Sequence, residues 1–186
     1  MKILETSLPG VLILEPRAHD DNRGFFMETY HAQRYASHGL DWNFVQDNLS
    51  WSRERVLRGL HYQINNPQAK LVQAVQGAVY DVAVDVRRDS PTFGQWTAAI
   101  LDEENHRQMF VPGGFAHGFC VLSKEARVYY KCDALYTPGD EGNLLWSDPD
   151  LAIDWPISDP ILSEKDQSNP CLKDIPPGKL PMCIRP

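Results

Sequence analysis

Short runs of β-branched and aromatic residues, separated by Gly, Pro, Asn and Asp, recur along this chain and constrain its fold more than any other feature. Each run has the composition and length of a β-strand, so together they predict many antiparallel strands. The predicted strands cover residues 11–14, 24–30, 71–75, 78–86, 97–101, 107–111, 118–122 and 127–132. Regular strand spacing with few helical segments favours a sandwich or a barrel.

The run VYDVAVDV at residues 79–86 shows the strict alternation of a strand. Its odd-numbered positions, which include Asp81 and Asp85, share one face, and its even-numbered positions share the other. Aspartates on one strand face predict that this face meets solvent or a polar lumen. The pattern leaves open whether either aspartate acts in a functional site.

Helical patterns are short and few. Residues 32–38 are predicted as one helix, and a second follows Ser163, because its Ser-Glu-Lys-Asp start resembles a capping box. Residues 174–186 hold four prolines and are predicted as an extended tail. The length of 186 residues predicts a single domain, 1–186.

Charge and cysteine content exclude several classes of protein. The net charge of -7 argues against nucleic acid or a membrane surface as a partner, since such surfaces on proteins are usually basic. No apolar run approaches the roughly 18 residues of a membrane span, and the start lacks a signal-peptide pattern, so we expect a cytoplasmic protein. The four cysteines form no C-x-x-C pair and are expected to be reduced thiols.

Polar residues cluster in the strand-like segment around residues 58–70, where Arg58, His61, Gln63 and Lys70 lie close together. Buried polar groups are costly unless paired, so such strands usually line a wet cavity or a ligand site. An ordinary structural histidine and a solvated edge-strand lysine are the alternatives. Simple alternation places Arg58 and His61 on opposite faces, so both enter one cavity only if Gly59 introduces a bulge or Arg58 reaches around.

The segment PGGFAH at residues 112–117 is similar to the second motif of cupins, Pro-x-Gly-x-x-His. Metal-binding cupins carry a His-x-His pair and a glutamate in the first motif. Here the pair reads His61-Tyr62-Gln63, and Lys70 lies downstream. A lysine repels a divalent cation unless it is deprotonated, so we expect no metal site and no cofactor.

Eight stretches occur in order over residues 1–172: DNRGFFMETY, FVQDNLSWS, VLRGLHYQ, KLVQAVQGAVYDVAVDVRRDSPTFGQW, VPGGFAHGF, VYYKCDALYTPGDEG, LWSDPDLAIDWP and LSEKD. They resemble the successive signatures of the dTDP-4-dehydrorhamnose 3,5-epimerase family. The resemblance implies a mainly β fold, a cupin-type jelly-roll β-barrel with a few short helices. It also implies an isomerase that works without a cofactor.

The resemblance implies the catalytic residues. His61 would be the base that removes protons beside the C4 ketone, and Asp166 would fix its tautomer. Tyr130 would be the acid on the opposite face of the sugar, although alternation alone allows Tyr129 instead. Lys70 would stabilise the enolate oxygen.

The resemblance also implies how the substrate is bound. Arg58 would hold the diphosphate, and His117 would lie near the sugar oxygens. The N-terminal strands, about residues 1–50, would be exchanged with the partner subunit of a homodimer. The nucleotide end would be held by Gln46, Asn48 and Tyr136 together with Arg23, Phe26 and Glu28 from the N-terminal segment.

The reaction implied by the resemblance is the conversion of dTDP-4-dehydro-6-deoxy-D-glucose to dTDP-4-dehydro-L-rhamnose, a step of dTDP-L-rhamnose biosynthesis. It inverts C3 and C5 through enolate intermediates. Three alternatives stay open on the sequence: an epimerase acting at one carbon only or on another nucleotide-linked 4-keto sugar, a sugar-binding cupin without catalysis, and a metal-dependent cupin isomerase or oxygenase.

Overall fold

Strands dominate this computed structural model, which describes residues 1–183. Its thirteen strands within that range are β1 Lys2–Glu5, β2 Leu12–Glu15, β3 Ala18–Asp21, β4 Gly24–Met27, β5 Gln46–Arg53, β6 Leu57–Gln63, β7 Lys70–Gln76, β8 Ala78–Asp85, β9 Trp96–Asp102, β10 Gln108–Val111, β11 Phe115–Val121, β12 Glu125–Cys132 and β13 Glu141–Asn143. The helices are α1 Ala32–Ala36 and α2 Glu164–Gln167, with 3-10 turns at Leu172–Asp174 and Pro177–Lys179.

Two antiparallel sheets make up most of the fold. The six-stranded sheet has the order β1-β2-β10-β7-β12-β5, and the five-stranded sheet has the order β13-β6-β11-β8-β9. The β3–β4 hairpin forms a separate two-stranded sheet. Non-sequential neighbours in both main sheets are typical of a jelly roll, so the predicted mainly β, cupin-type architecture is confirmed.

The hydrophobic core lies between the two main sheets. Val72 and Val128 from the six-stranded sheet belong to one buried cluster with Ala83 and Phe119 from the five-stranded sheet. A second cluster covers the outer face of the five-stranded sheet, where Leu144, Leu151, Leu172, Ile175 and Leu180 pack against Leu60, Val82 and Val84. The space between the sheets is called the lumen below.

Strand β8 follows the predicted alternation. Val79 and Ala83 belong to the cluster between the sheets, and Val82 belongs to the outer cluster. Asp81 and Asp85 are completely buried on the same side as Val79. The aspartates therefore face the lumen and not bulk solvent.

The predicted extended C-terminal tail is interrupted by a short 3-10 turn, on either side of which Ile175 and Leu180 have extended backbone angles. Residues 177–179 form a 3-10 turn, and Ile175 and Leu180 are buried in the outer cluster. The apolar side chains between the prolines cover the five-stranded sheet, which anchors the segment. Residues 184–186 lie outside the described part.

The N-terminal region divides into two parts. Strand β1 pairs with β2, β2 pairs with β10, and β5 pairs with β12 of the same chain. Strand β4 ends at Met27 and is shorter than the predicted strand at 24–30. Among the strands of residues 1–183, only the β3–β4 hairpin lies outside the two main sheets. Exchange with a partner stays a prediction, and the hairpin is the element that fits it.

Candidate active site

A bulge in β6 brings Arg58 and His61 to the same face of the sheet. Opposite them on β11, His117 aligns with His61 and Phe119 aligns with Arg58, with a register shift between the two pairs. Strand β6 therefore carries one extra residue. Gly59 lies there with φ of 113°, and a Cβ at this position would lie 2.7 Å from the His117 carbonyl oxygen. Only glycine fits this turn of the chain.

His61 and Asp166 form a hydrogen-bonded pair. The Nε2 atom of His61 lies 2.6 Å from Oδ1 of Asp166. Burial opposes ionisation of Asp166, but the hydrogen bonds from His61 and Ser163 outweigh it and hold the pKa of this carboxyl below its usual range. The Ser163 hydroxyl accepts the Asp166 amide and caps α2, as the sequence predicted. The cap thus fixes the helix that presents Asp166 to the imidazole.

One cavity of about 470 Å³ collects the side chains that the sequence assigned to catalysis. This main cavity is lined by Ser50, Val56, Leu57, Arg58, His61, Lys70, His117, Gly118, Phe119, Tyr130, Ile161, Leu162, Ser163, Lys165 and Asp166. Histidine, lysine and tyrosine from three different strands face the same space. Such a set can remove a proton, deliver a proton and hold a negatively charged oxygen.

Tyr130, and not Tyr129, faces the main cavity. Adjacent strand residues point to opposite sides, and Tyr129 instead accepts a hydrogen bond from Lys131. Burial raises the pKa of Tyr130, so its hydroxyl keeps its proton at neutral pH. Within residues 1–183 this hydroxyl has no hydrogen-bond partner, which leaves it available to a ligand.

Lys70 enters the main cavity from the start of β7. Burial lowers the pKa of its ammonium group, and the neighbouring Cys132 and Asp81 oppose this shift. Its Nζ atom makes no hydrogen bond or ion pair with any residue in the described part of the chain. Cys132 is buried, and burial raises the pKa of its thiol to about 11, so it is a neutral core thiol as predicted.

A second cavity of about 300 Å³ adjoins the first and shares His61, Lys70 and Tyr130 with it. This side cavity contains three residues that the sequence assigned to nucleotide binding, namely Gln46, Asn48 and Tyr136. The Gln46 side chain links them, because its amide donates to Asn48 and its oxygen accepts the Tyr136 backbone amide. The side cavity thus places a polar edge and an aromatic ring beside His61, Lys70 and Tyr130.

Arg58 lies in the main cavity wall. Its guanidinium donates to the Ser52 hydroxyl at 2.9 Å and to the Trp51 carbonyl at 3.2 Å, both on β5. The residue is exposed, and within residues 1–183 no carboxylate pairs with it. Its charge is therefore available to an anion entering the cavity.

The structure does not bring Arg23, Phe26 and Glu28 to the main cavity of their own chain. All three lie on or beside the β3–β4 hairpin, where Arg23 pairs with Asp21 and Glu28 pairs with Arg34. The Phe26 side chain is 70% exposed. None of the three lines the main cavity, so their predicted role in nucleotide binding stays a prediction.

Sequence reasoning missed three charged residues at the site. Asp81 pairs with His117, whose Nε2 lies 2.5 Å from Oδ1 of Asp81. Lys165 of the main cavity and Glu141 of the side cavity form an ion pair at 2.5 Å. The period-2 pattern placed Asp81 on a polar face, but nothing in it distinguished Asp81 from Asp85.

Neither a metal-binding cluster nor a membrane-spanning helix is found among the described residues. Residues 1–183 contain no group of three or more His, Cys, Asp or Glu side chains placed to hold a metal ion. Gln63, at the position of a cupin metal ligand, is buried and donates to the Thr137 carbonyl. Over the same residues, none of the helices is long and apolar enough to cross a membrane.

Comparison with known proteins identifies the family of this chain. The family model described as dTDP-4-dehydrorhamnose 3,5-epimerase matches residues 5–174. A curated dTDP-4-dehydrorhamnose 3,5-epimerase from Pseudomonas aeruginosa is 51% identical over 176 residues, which cover 94% of this chain and 97% of the relative.

Solved structures are similar over nearly the whole chain. A dTDP-6-deoxy-D-glucose-3,5-epimerase from Legionella pneumophila, in complex with dTDP-4-keto-L-rhamnose, superposes with a TM-score of 0.94 at 48% identity and 97% coverage of each chain. A 3'-monoepimerase from Streptomyces bikiniensis, in complex with dTDP-quinovose, gives a TM-score of 0.89 at 35% identity, covering 95% of this chain and 91% of that one. By its sequence, its fold and the arrangement of its cavity residues, this chain belongs to the dTDP-4-dehydrorhamnose 3,5-epimerase family.

Proposed function

We propose that this chain is a cofactor-independent 3,5-epimerase that converts dTDP-4-dehydro-6-deoxy-D-glucose to dTDP-4-dehydro-L-rhamnose, a step of dTDP-L-rhamnose biosynthesis. One observation carries the proposal. The His61–Asp166 pair, the Lys70 ammonium group and the Tyr130 hydroxyl all open into one cavity. A base, an oxyanion donor and an acid are the three groups that inversion beside a ketone requires.

The chemistry begins with removal of a proton from a carbon next to the C4 ketone. Since Nε2 of His61 is engaged by Asp166, Nδ1 is the nitrogen that takes the proton. The electron pair of the broken C–H bond forms the C=C bond of the enolate, and the former carbonyl oxygen becomes negative. Lys70 donates a hydrogen bond to that oxygen, a contribution of about 3 kcal/mol for one such donor.

The second half of each inversion returns a proton to the same carbon from the other face of the sugar. The neutral Tyr130 hydroxyl supplies it, the enolate collapses to the ketone, and the configuration is inverted. Solvent then restores the proton of Tyr130 and removes the one held by His61. Repeating the sequence at the other neighbour of C4 gives the doubly inverted product.

The side cavity and the cavity wall supply the nucleotide contacts. Arg58 binds the diphosphate, where a planar guanidinium can contact two oxygens at once. Tyr136 is 47% exposed and stacks on the nucleobase, whose polar edge meets Gln46 and Asn48. The relative from Legionella pneumophila is described in complex with dTDP-4-keto-L-rhamnose, which supports a dTDP-sugar as the ligand.

The site is completed by a second subunit in this proposal. Arg23, Phe26 and Glu28 lie on or beside a hairpin that belongs to neither main sheet, and Phe25 and Phe26 of that hairpin are both exposed. Exposed aromatic side chains on such a hairpin are characteristic of a contact surface. A homodimer that exchanges these hairpins brings the three side chains to the partner's nucleotide end.

The proposed location is the cytoplasm. A nucleotide-linked sugar carries a charged diphosphate, and the cost of moving such charges into hydrocarbon prevents it from crossing a membrane unaided. An enzyme that acts on this substrate has to work in the compartment where nucleotides are made.

A single-site epimerase is the second candidate, because the chain is also similar to a 3'-monoepimerase. Incubation with dTDP-4-dehydro-6-deoxy-D-glucose in deuterated water distinguishes the two, with NMR and mass spectrometry following C3 and C5. Deuterium at both carbons with doubly inverted product is the expected result. Exchange and inversion at C3 alone would identify a monoepimerase, and no exchange at either carbon would refute both candidates.

A further inference from the structure

The pair formed by Asp81 and His117 has no role in the mechanism described so far. Asp81 lies on β8 and is completely buried, and His117 lies next to it on β11 and lines the main cavity. Their Oδ1 and Nε2 atoms are 2.5 Å apart. The pair reproduces the geometry of His61 and Asp166 on the neighbouring strand.

The two histidines are neighbours in the same sheet, and their carboxylates reach them from opposite directions. His61 and His117 are directly aligned across β6 and β11. Asp166 reaches His61 from α2, whereas Asp81 reaches His117 from β8, on the other side of β11. Because Nε2 of His117 is engaged by Asp81, Nδ1 is the ring nitrogen left to contact a ligand.

The surroundings of Asp81 indicate a functional and not a structural role. Its second oxygen, Oδ2, is buried and has no hydrogen-bond partner among residues 1–183. Leaving a carboxylate oxygen buried without a donor is destabilising, and such arrangements are concentrated at functional sites. Asp85, which is equally buried on the same face of β8, shows the contrast, since Arg87, Ser90 and Thr92 satisfy both of its oxygens.

We propose that Asp81 is a positioning residue that holds the His117 ring with Nε2–H on its carboxylate and Nδ1 directed at the sugar oxygens beside the C4 carbonyl. The inference rests on the proposed function. With the ring fixed, His117 and Lys70 approach the reacting part of the sugar from two strands. Without Asp81 the ring can rotate or change tautomer, and the hydrogen bond to the sugar is lost or reversed.

The first test reports the tautomer of His117 directly. NMR of the protein with ring-¹⁵N-labelled histidine reports which nitrogen of each imidazole carries a proton. We expect a proton on Nε2 of His117, coupled to a strongly downfield ¹H signal that disappears in Asp81→Asn. A wild-type His117 with an unprotonated Nε2 would overturn the proposal. Because this measurement needs no substrate, it stands apart from any failure of the proposed reaction.

The second test compares Asp81→Asn with the matched control Asp85→Asn. Removing a partner that orients a functional histidine typically costs about 10–100-fold, so kcat of Asp81→Asn should fall by that factor with KM changed about threefold or less. Asp85→Asn should lower the melting temperature and leave kcat and the His117 NMR signal unchanged. Equal losses of kcat in the two variants, or an unchanged kcat in a folded Asp81→Asn, would refute the role.

Discussion

His61 and His117 lie directly opposite each other on β6 and β11, and each ring is bound through Nε2 to a carboxylate that is at most 3% exposed. Within residues 1–183 neither Nδ1 has a protein partner. The two free ring nitrogens therefore face the same ligand space, while the two carboxylates, Asp166 and Asp81, fix the rings from behind. In the proposed mechanism, this arrangement presents a base, His61, and a sugar-binding group, His117, side by side.

Loss of the base should abolish exchange with solvent. In His61→Ala, deuterium incorporation at C3 and C5 should fall by about 10²–10⁴-fold, since a positioned general base contributes that much. Asp166→Asn should retain the fold and lose part of the rate, because the amide can favour the wrong tautomer of His61. Exchange is measured by mass spectrometry in deuterated water. Wild-type exchange in a folded His61→Ala would rule out His61 as the base.

Loss of the acid should separate exchange from inversion. Tyr130→Phe retains His61 and Lys70, so the enolate still forms, but no proton arrives from the opposite face. We expect deuterium in recovered substrate together with a loss of inverted product of about 10²-fold or more. Tyr129→Phe is the matched control. The Tyr129 hydroxyl accepts a hydrogen bond from Lys131, so its loss should leave inversion intact. Equal rates of inversion in the two variants would contradict the assignment.

Lys70 should determine the alkaline limb of the pH profile. Burial lowers the pKa of this group below its ordinary 10.5, so the ammonium loses its proton, and kcat falls, as pH rises through a value lower than 10.5. Burial raises the pKa of Tyr130 above 10.0, so a limb below pH 10.0 reports Lys70 and not Tyr130. Lys70→Arg should move the limb upward in whatever activity it retains, and Lys70→Met should lower kcat by about 10²–10³-fold. An alkaline limb that stays in place in Lys70→Arg would exclude Lys70 as its origin.

The bulge at Gly59 should be intolerant of any side chain. In Gly59→Ala the new Cβ meets the His117 carbonyl oxygen at 2.7 Å and the Gly118 Cα at 2.8 Å, which requires a backbone shift beneath His61. Gly39→Ala is the control, because Gly39 also has positive φ but has nothing within 4 Å of its ideal Cβ. Urea unfolding should show that Gly59→Ala loses about 1–3 kcal/mol more than Gly39→Ala. Comparable losses in the free energy of unfolding of the two variants would show that the close approach of Gly59 to β11 does not exclude a side chain.

The proposed exchange of hairpins between subunits predicts complementation between two inactive variants. His61→Ala removes the base, and Phe26→Ala removes a contact contributed to the partner's site. A heterodimer of the two contains one site in which both residues are wild type. Mixing the variants under conditions that exchange subunits should restore about one quarter of the wild-type sites. Recovery no greater than the sum of the separate variants would refute the shared site.

Much of the fold was predictable from local pattern. Alternation in β8 correctly separated the two faces of the strand, because side-chain direction depends only on position along the chain, but it left open whether the aspartate face meets the lumen or solvent. The cap at Ser163 was predictable for the same reason, since its bond to the Asp166 amide spans three residues. Strands β1, β3 and β5 were missed, because charged and amide side chains interrupt their apolar residues and leave no run of β-branched and aromatic residues.

The sequence by itself determined the β class, the short helices and, through eight ordered motifs, the family and the residue types at the site. It did not determine which of those residues meet. The strand partner of Gly59 decides that Arg58 and His61 share a face, and the neighbour on β11 decides that Asp81 binds a histidine while Asp85 binds the loop after it. Bulges and buried charge pairs depend on atoms distant in sequence, so only the packed sheets decide them.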